Sequence, residues 1–449
     1  MSLTGTSFLY TSIALAVVAL LLPLVLWSRM RGPKAVRIGG RVLMLLFAQC
    51  TAITLVFVMV NNQNNLYSNW SDLLGTGDHV QQAANLGTSG TGDIALKRLP
   101  RVVQHFEPAS GPTMGAAGGV EVTQLKGQVS GVDAEVYVWL PPQYHEAAYR
   151  HTRFPVVEVL PGYPGSATAW FGAMHAHQQL LPEMESGKIA PFILVAPRTS
   201  LLPDADTGCA NVPGQVNADS WLSVDVPRMV TQNFRAQPAP DGWATAGYSA
   251  GAHCAVKLAV AHPDRYRAAI SMSGYNDPAA ESASLAAHNP VLRAENNPYL
   301  LLRHYPVPPR IALYISGEPG DGYESAEALA AEAKAPTSVH VVYLPRSAGG
   351  HTMALWRPQV VPSFRWLTEV MGETHVGPAA RGAAARTGVI GRGVSGHPAP
   401  DPPAGAGVPA VPAGRRVTAS VPRSPSNAGS TPVVPASGTA SPAVAARTP

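Results

Sequence analysis

The chain has 449 residues, three cysteines, 46% hydrophobic residues and a formal net charge of +4, enough length for two or three ordinary domains. The positive balance is local: Arg29, Arg31, Lys34, Arg37 and Arg41 give one short stretch a charge of +5, and residues 378–449 hold seven Arg against one Asp. The remainder is mildly acidic, which excludes a polyanion-binding role for it; no nucleic-acid partner is expected.

Phe8 to Trp27 is an apolar run of 20 residues and Val42 to Val60 one of 19, each long enough to cross a bilayer as a helix. A cleaved signal peptide does not fit the first run, because no basic segment precedes Phe8 and a second run follows. Pro23 is tolerated in a membrane helix. The basic stretch between the runs marks the cytoplasmic side, where short loops rich in Lys and Arg stay. Residues 1–60 therefore read as a two-helix transmembrane anchor of a multi-pass cell-membrane protein, with everything after Val60 facing outside. Tyr67 and Trp70 suit interfacial anchoring. Residues 61–118 are polar and Gly-rich without sustained periodicity, and read as an extracytoplasmic tether.

Order is expected from Gly119. Ala134 to Leu140 alternates as a half-exposed antiparallel strand does. Short apolar runs follow at Pro155 to Leu160, Pro191 to Ala196, Trp243 to Tyr248, Ala268 to Met272, Ile311 to Ile315 and Val339 to Leu344. Helical stretches separate them at Ala167 to Leu181, Trp221 to Asn233, Ala250 to His262 and Glu324 to Ala335, with a last one from about Pro362 to Met371. Strands alternating with helices predict a mostly parallel sheet with helices on both faces, the α/β class, over residues 119–375. Residues 376–449 collapse into Pro, Ala and Gly and read as a disordered tail.

Gly247-x-Ser249-x-Gly251 lies between a predicted strand and a predicted helix, the context of a nucleophile elbow. A serine hydroxyl needs a base to take its proton and a third group to orient that base. His351, after Gly349-Gly350 and beyond the last strand, is the candidate base. Two acids follow the strand Ile311 to Ile315: Asp321 is the candidate orienting acid and Glu318 the alternative. The oxyanion donors are expected to be the backbone N–H of Ala250 and that of Tyr163, in the turn Pro161-Gly-Tyr-Pro-Gly165. Cys209 and Cys254 are the candidate disulfide pair of an outward-facing domain. Closing that loop would add about 4 kcal/mol in the chain-entropy picture; the alternative is two unrelated small residues. His175-Ala-His177 reads as helix surface, and no spacing supports a metal site.

Gly162-Tyr-Pro-Gly165, Asp206-Thr-Gly-Cys209, Gly242 to Gly251, His262-Pro-Asp-Arg and Gly349-Gly-His351-Thr together resemble the bacterial esterase D / mycolyltransferase group of α/β-hydrolases, in particular its membrane-tethered members. The resemblance covers roughly Gly119 to Gly372. It implies an α/β-hydrolase fold, an acyl-enzyme on Ser249 resolved by water or by an alcohol such as a sugar, a small-molecule or lipid or glycan ester substrate, and no cofactor. The acid loop Glu318 to Gly322 departs from the group's spacing, and Ala252-His253 stands where a second pair of small residues is expected after the elbow. The expected function is a membrane-anchored extracytoplasmic serine esterase or acyltransferase. The alternatives are a catalytically silent envelope-binding protein and a peptidase of the same fold.

Overall fold

The computed structural model describes residues 3–371 apart from 5, 81–83, 87–89, 93 and 112; the expected tail, 376–449, lies outside the described residues. Two helices open the chain, α1 (Thr6–Leu26) and α2 (Lys34–Asn64), both long and apolar enough to cross a membrane. They pack through Ser12, Ala16 and Ala19 of α1 and Met44, Thr51 and Val58 of α2, while their Leu, Ile and Val side chains mostly face outward. Small residues at such a contact let two backbones approach. The helix α2 starts eight residues before the expected apolar run and takes in Lys34, Arg37 and Arg41, all good helix formers once Pro33 has set the first turn. Arg41 folds back onto Trp27, 4.8 Å from the ring centroid, and donates to the Trp27 carbonyl.

Nine strands form the main sheet: β1 (Glu107–Pro108), β2 (Val120–Lys126), β3 (Asp133–Trp139), β4 (Val156–Leu160), β5 (Ile193–Pro197), β6 (Trp243–Tyr248), β7 (Ala268–Met272), β8 (Ala312–Gly317) and β9 (Ser338–Tyr343). Their order is β1-β2-β3-β5-β4-β6-β7-β8-β9. The first three strands join antiparallel and the rest run parallel. In β4 the two faces alternate: Val156 and Leu160 enter one core, Val157 and Val159 the other. Both faces are covered, which is why the central strands read as mostly apolar runs with single buried polar residues such as Glu158, Thr245 and Ser271. Helices α4 (Val226–Asn233), α5 (Ala250–Ala261) and α6 (Tyr323–Glu332) fill the first core; α3 (Ala176–Glu185) and α7 (Val360–Met371) fill the second. This is the α/β-hydrolase fold.

Four expectations need correction. The sheet starts before Gly119, because Glu107 and Pro108 pair with Val122 and Glu121. Residues 61–118 are not a free tether. Asp72 pairs with Arg198, the Val102 amide donates to Gln232 Oε1 at 2.6 Å, Asn233 returns a bond to the Val102 carbonyl at 2.9 Å, and Leu86 packs with Val129 and Val224. Some of the polar residues there, Asp72 and Gln104 among them, bond to the domain, so their polarity reported contact rather than solvent. The expected helix Ala167 to Leu181 is broken between Gly172 and Ala176, where His175 turns left-handed at φ 52°. That break turns His177 inward: it is fully buried, edge-on to Phe171, with Nε2 3.1 Å from the Thr113 carbonyl. It is a core histidine, not helix surface.

Candidate active site

The strand β6 runs straight into α5 with Ser249 at the corner (φ 57°, ψ −127°). A non-glycine residue there is strained, and the surroundings must hold it. Glycine on either side is compulsory. A Cβ on Gly247 would lie 2.0 Å from the Gly251 carbonyl oxygen, and one on Gly251 2.2 Å from that of Leu160. The Ser249 amide donates to Met272 O in β7 at 2.9 Å, and its carbonyl accepts from Ala252 and His253, starting the helix.

Asp321 lies in the turn after β8 and His351 in the turn after β9. The structure brings both to Ser249: His351 Nδ1 is 2.8 Å from Asp321 Oδ1, and His351 Nε2 is 2.8 Å from Ser249 Oγ. The glycines make these turns. Gly322 sits at φ 93°, where a Cβ would meet Ser273 Cα at 2.9 Å, and Gly349 at φ 137°. Glu318, the alternative acid, does not touch the ring. It is buried and its Oε1 accepts the Gly350 amide at 3.3 Å, bracing the loop that carries His351. Its helper role follows from the turn: the Asp321 amide closes onto the Glu318 carbonyl at 2.8 Å, which leaves only Asp321 reaching forward.

Gly162 lies against the nucleophile: a Cβ there would be 3.0 Å from Ser249 Cβ, a tight contact that would push on the serine. The Tyr163 and Ala250 amides donate to no carbonyl among the backbone bonds of the described residues. Ala250 follows the nucleophile directly, and Tyr163 follows Gly162, the residue packed against it. Cys209 and Cys254 are joined as a disulfide with Cα atoms 5.6 Å apart, fastening α5 to the loop before α4.

Three supporting residues carried no sequence signal. Trp356 stands edge-on to His351 at 4.8 Å, stacks on Tyr248 at 4.7 Å, and donates its indole N–H to Ser273 Oγ at 3.0 Å. One ring therefore holds the base against the strand that bears the nucleophile. Ser273, itself left-handed at φ 55°, ends β7. Nothing in the spacing of Trp356, Tyr248 and Ser273 announces their meeting, because three separate crossovers bring them together. Among the described residues no group of His, Cys, Asp and Glu is arranged to hold a metal ion.

A mostly parallel sheet with a strained serine at a strand–helix corner, met by a His from the last strand's loop, defines a hydrolase of the α/β-hydrolase fold. Comparison with known proteins narrows the class. The family model described as "Putative esterase" matches residues 128–367, and the chain belongs to that esterase family. A curated relative, an uncharacterized protein of Corynebacterium glutamicum, is 25% identical over 258 residues, 54% of this chain. The chain spans 58% of that relative's length. Among solved structures, a ferulic acid esterase is 18% identical with a TM-score of 0.47, covering 56% of this chain and 98% of its own. An S-formylglutathione hydrolase from Agrobacterium tumefaciens is 16% identical with a TM-score of 0.47, covering 61% of this chain and 100% of its own.

Proposed function

We propose that the protein is a membrane-anchored, extracytoplasmic serine esterase or acyltransferase with Ser249 as nucleophile, His351 as base and Asp321 as the acid that orients it. The observation that carries this reading is the His351 ring bridging Ser249 Oγ and Asp321 Oδ1 at 2.8 Å on each side. Ser249 Oγ attacks the ester carbonyl while His351 Nε2 takes its proton. The carbonyl π pair moves onto oxygen, and that oxyanion accepts bonds from the Ala250 and Tyr163 amides, each worth on the order of 3 kcal/mol in the transition state. Collapse breaks the bond to the alcohol oxygen, which leaves with the proton from His351. Water or a second alcohol then gives its proton to His351 and attacks the acyl-enzyme. Ser249 recovers its proton as it leaves.

The two apolar helices and the basic residues between them support an anchor whose domain faces outside. A membrane-impermeant maleimide should label Thr76→Cys on intact cells; labelling only after lysis would reverse the orientation. Turnover of p-nitrophenyl esters of rising chain length, with and without a sugar acceptor, separates hydrolysis from transfer. Release without any acylated sugar identifies an esterase; acylated sugar identifies a transferase. A folded protein that cleaves no ester in the panel rejects both.

A further inference from the structure

The turn Pro161–Gly165 that carries the Tyr163 amide is gripped from the exit of α2. Ser166, the next residue, donates its amide (3.1 Å) and its hydroxyl (2.7 Å) to one acceptor, the carbonyl of Asn65. Asn65 caps α2 in the left-handed conformation (φ 50°, ψ 49°), and that conformation aims its carbonyl at Ser166 instead of along the helix. Its side-chain amide donates to Thr168 Oγ1 at 3.3 Å and lies over Gly172, where a Cβ would be 2.2 Å from it. A second grip comes through Asp72. Asp72 pairs with Arg198, Arg198 Nε donates to the Ser200 carbonyl at 3.0 Å, and Ser200 Oγ donates to the Gly165 carbonyl at 3.0 Å. Two consecutive residues of the turn, Gly165 and Ser166, are thus held by the stretch just beyond an apolar helix of 31 residues.

We propose that the exit of α2 is a positioning device for the oxyanion donor: the left-handed carbonyl of Asn65 sets the turn against Ser249, so the anchor and the reaction are mechanically one unit. The proposal rests on reading Ser249 as nucleophile and Tyr163 as donor. Its physical basis is the steepness of such catalysis with distance, where a displacement near 1 Å costs on the order of 100-fold. Gly162 already touches the nucleophile, so any shift of the turn changes the donor's distance to the developing oxyanion directly. Ser166 is four positions beyond Gly162, at most about 14 Å of chain. The reacting centre is therefore kept close to the point where α2 ends.

The test uses the full chain in lipid nanodiscs and p-nitrophenyl acetate, a short soluble ester that does not need the bilayer. Asn65→Val places a β-branched residue where φ is positive, which disfavours the left-handed cap; Asn65→Gly adopts it freely. Asn65→Val should lower kcat by roughly 10- to 100-fold with KM nearly unchanged, and slow fluorophosphonate labelling in step. Asn65→Gly should restore kcat toward wild type although it also lacks the side chain, and Ser166→Ala, keeping one of the two donors, should fall between. Thermal unfolding recorded on the same samples should be alike for all. Wild-type kcat in Asn65→Val, or equal losses in the Val and Gly variants, overturns the proposal. Should Asn65→Val not fold, unchanged kcat in the double variant Ser166→Ala with Ser200→Ala overturns it. A wild-type chain that neither cleaves the ester nor takes the probe sinks the esterase reading itself, a different outcome from an active enzyme indifferent to Asn65.

Discussion

The molecule holds two Asp–His pairs with the same N···O distance and opposite circumstance. His351 Nδ1 meets Asp321 at 2.8 Å with 49% and 25% of the side chains exposed; His262 Nε2 meets Asp219 at 2.8 Å with 9% of each exposed. What lies beyond each pair differs. The second ring nitrogen of His351 faces the Ser249 hydroxyl. Around Asp219 stand Lys257, which also donates to the Cys209 carbonyl at 2.8 Å, and the Ser223 hydroxyl at 3.1 Å. Burial alone would push the Asp219 carboxyl up, but the Lys257 ammonium and His262 beside it hold it well below the usual carboxylate range. An Asp–His contact thus says little about role. What stands beyond the carboxylate and the ring decides it: one pair faces a serine hydroxyl and can pass a proton to an incoming group, and the other, lining a cavity together with Lys257, is charge-balanced by that ammonium and ties α5 into the fold.

That contrast is breakable by mutation. Asp321→Asn should lower kcat by about 10,000-fold with KM little changed, as expected when the tautomer and orientation of the base are lost. Glu318→Gln, which keeps an acceptor for the Gly350 amide, should have a far smaller effect; the reverse ranking, read from steady-state kinetics on one ester, would move the acid to Glu318. The buried pair should respond in the other currency. Asp219→Asn leaves the Lys257 charge without its carboxylate and should cost about 3–5 kcal/mol of stability in denaturant unfolding, while kcat per folded molecule stays near wild type. Intact stability with collapsed kcat would invert the comparison.

A smaller effect concerns a third buried acid. Glu158, in the centre of β4, is pushed up to about 8 by burial, with the Tyr266 hydroxyl opposing and Asp219 adding to it. The unfolded side chain loses its proton near 4.5. Between those values the folded state holds one more proton, so this group makes stability fall as pH rises and contributes no further change above about 8. His253, pushed down to about 4 by burial, works in the opposite sense between that value and 6.5. The informative quantity is therefore the stability of Glu158→Gln minus wild type, which should grow from pH 4.5 to 8. A difference that stays flat over that range contradicts the assignment.

The parts of this picture legible in the sequence are those with local causes. Trp243–Tyr248, Ser249 and Ala250–Ala261 are neighbours in the chain, and the glycines their corner needs lie two residues on either side. The central strands were legible because burial on both faces leaves a mostly apolar run bounded by turn residues. The strand β2 was not: it reads Val-Glu-Val-Thr-Gln-Leu-Lys and buries only Val120, Thr123 and Leu125 fully. The turn of π-helix at Trp221–Asp225, where a plain helix is expected, is buried at every residue, and no local pattern announces it. The Asp219 cluster joins residues 38 and 43 positions apart, and the clamp joins Asn65 to Ser166 across 101. Such contacts depend on where crossovers place distant segments, and no local pattern encodes them. Asp321 over Glu318 is the intermediate case: both stood in one short turn, and only the direction of that turn separates them.

The proposed activity depends on His351 making the Ser249 hydroxyl nucleophilic. Treating the folded full-length chain with a fluorophosphonate and reading the modified peptide by mass spectrometry tests it most directly. One phosphonylated residue is expected, Ser249, with labelling abolished in Ser249→Ala and His351→Ala although both variants keep the wild-type unfolding transition. A folded wild-type chain that takes no label, or takes it at another serine, would contradict it.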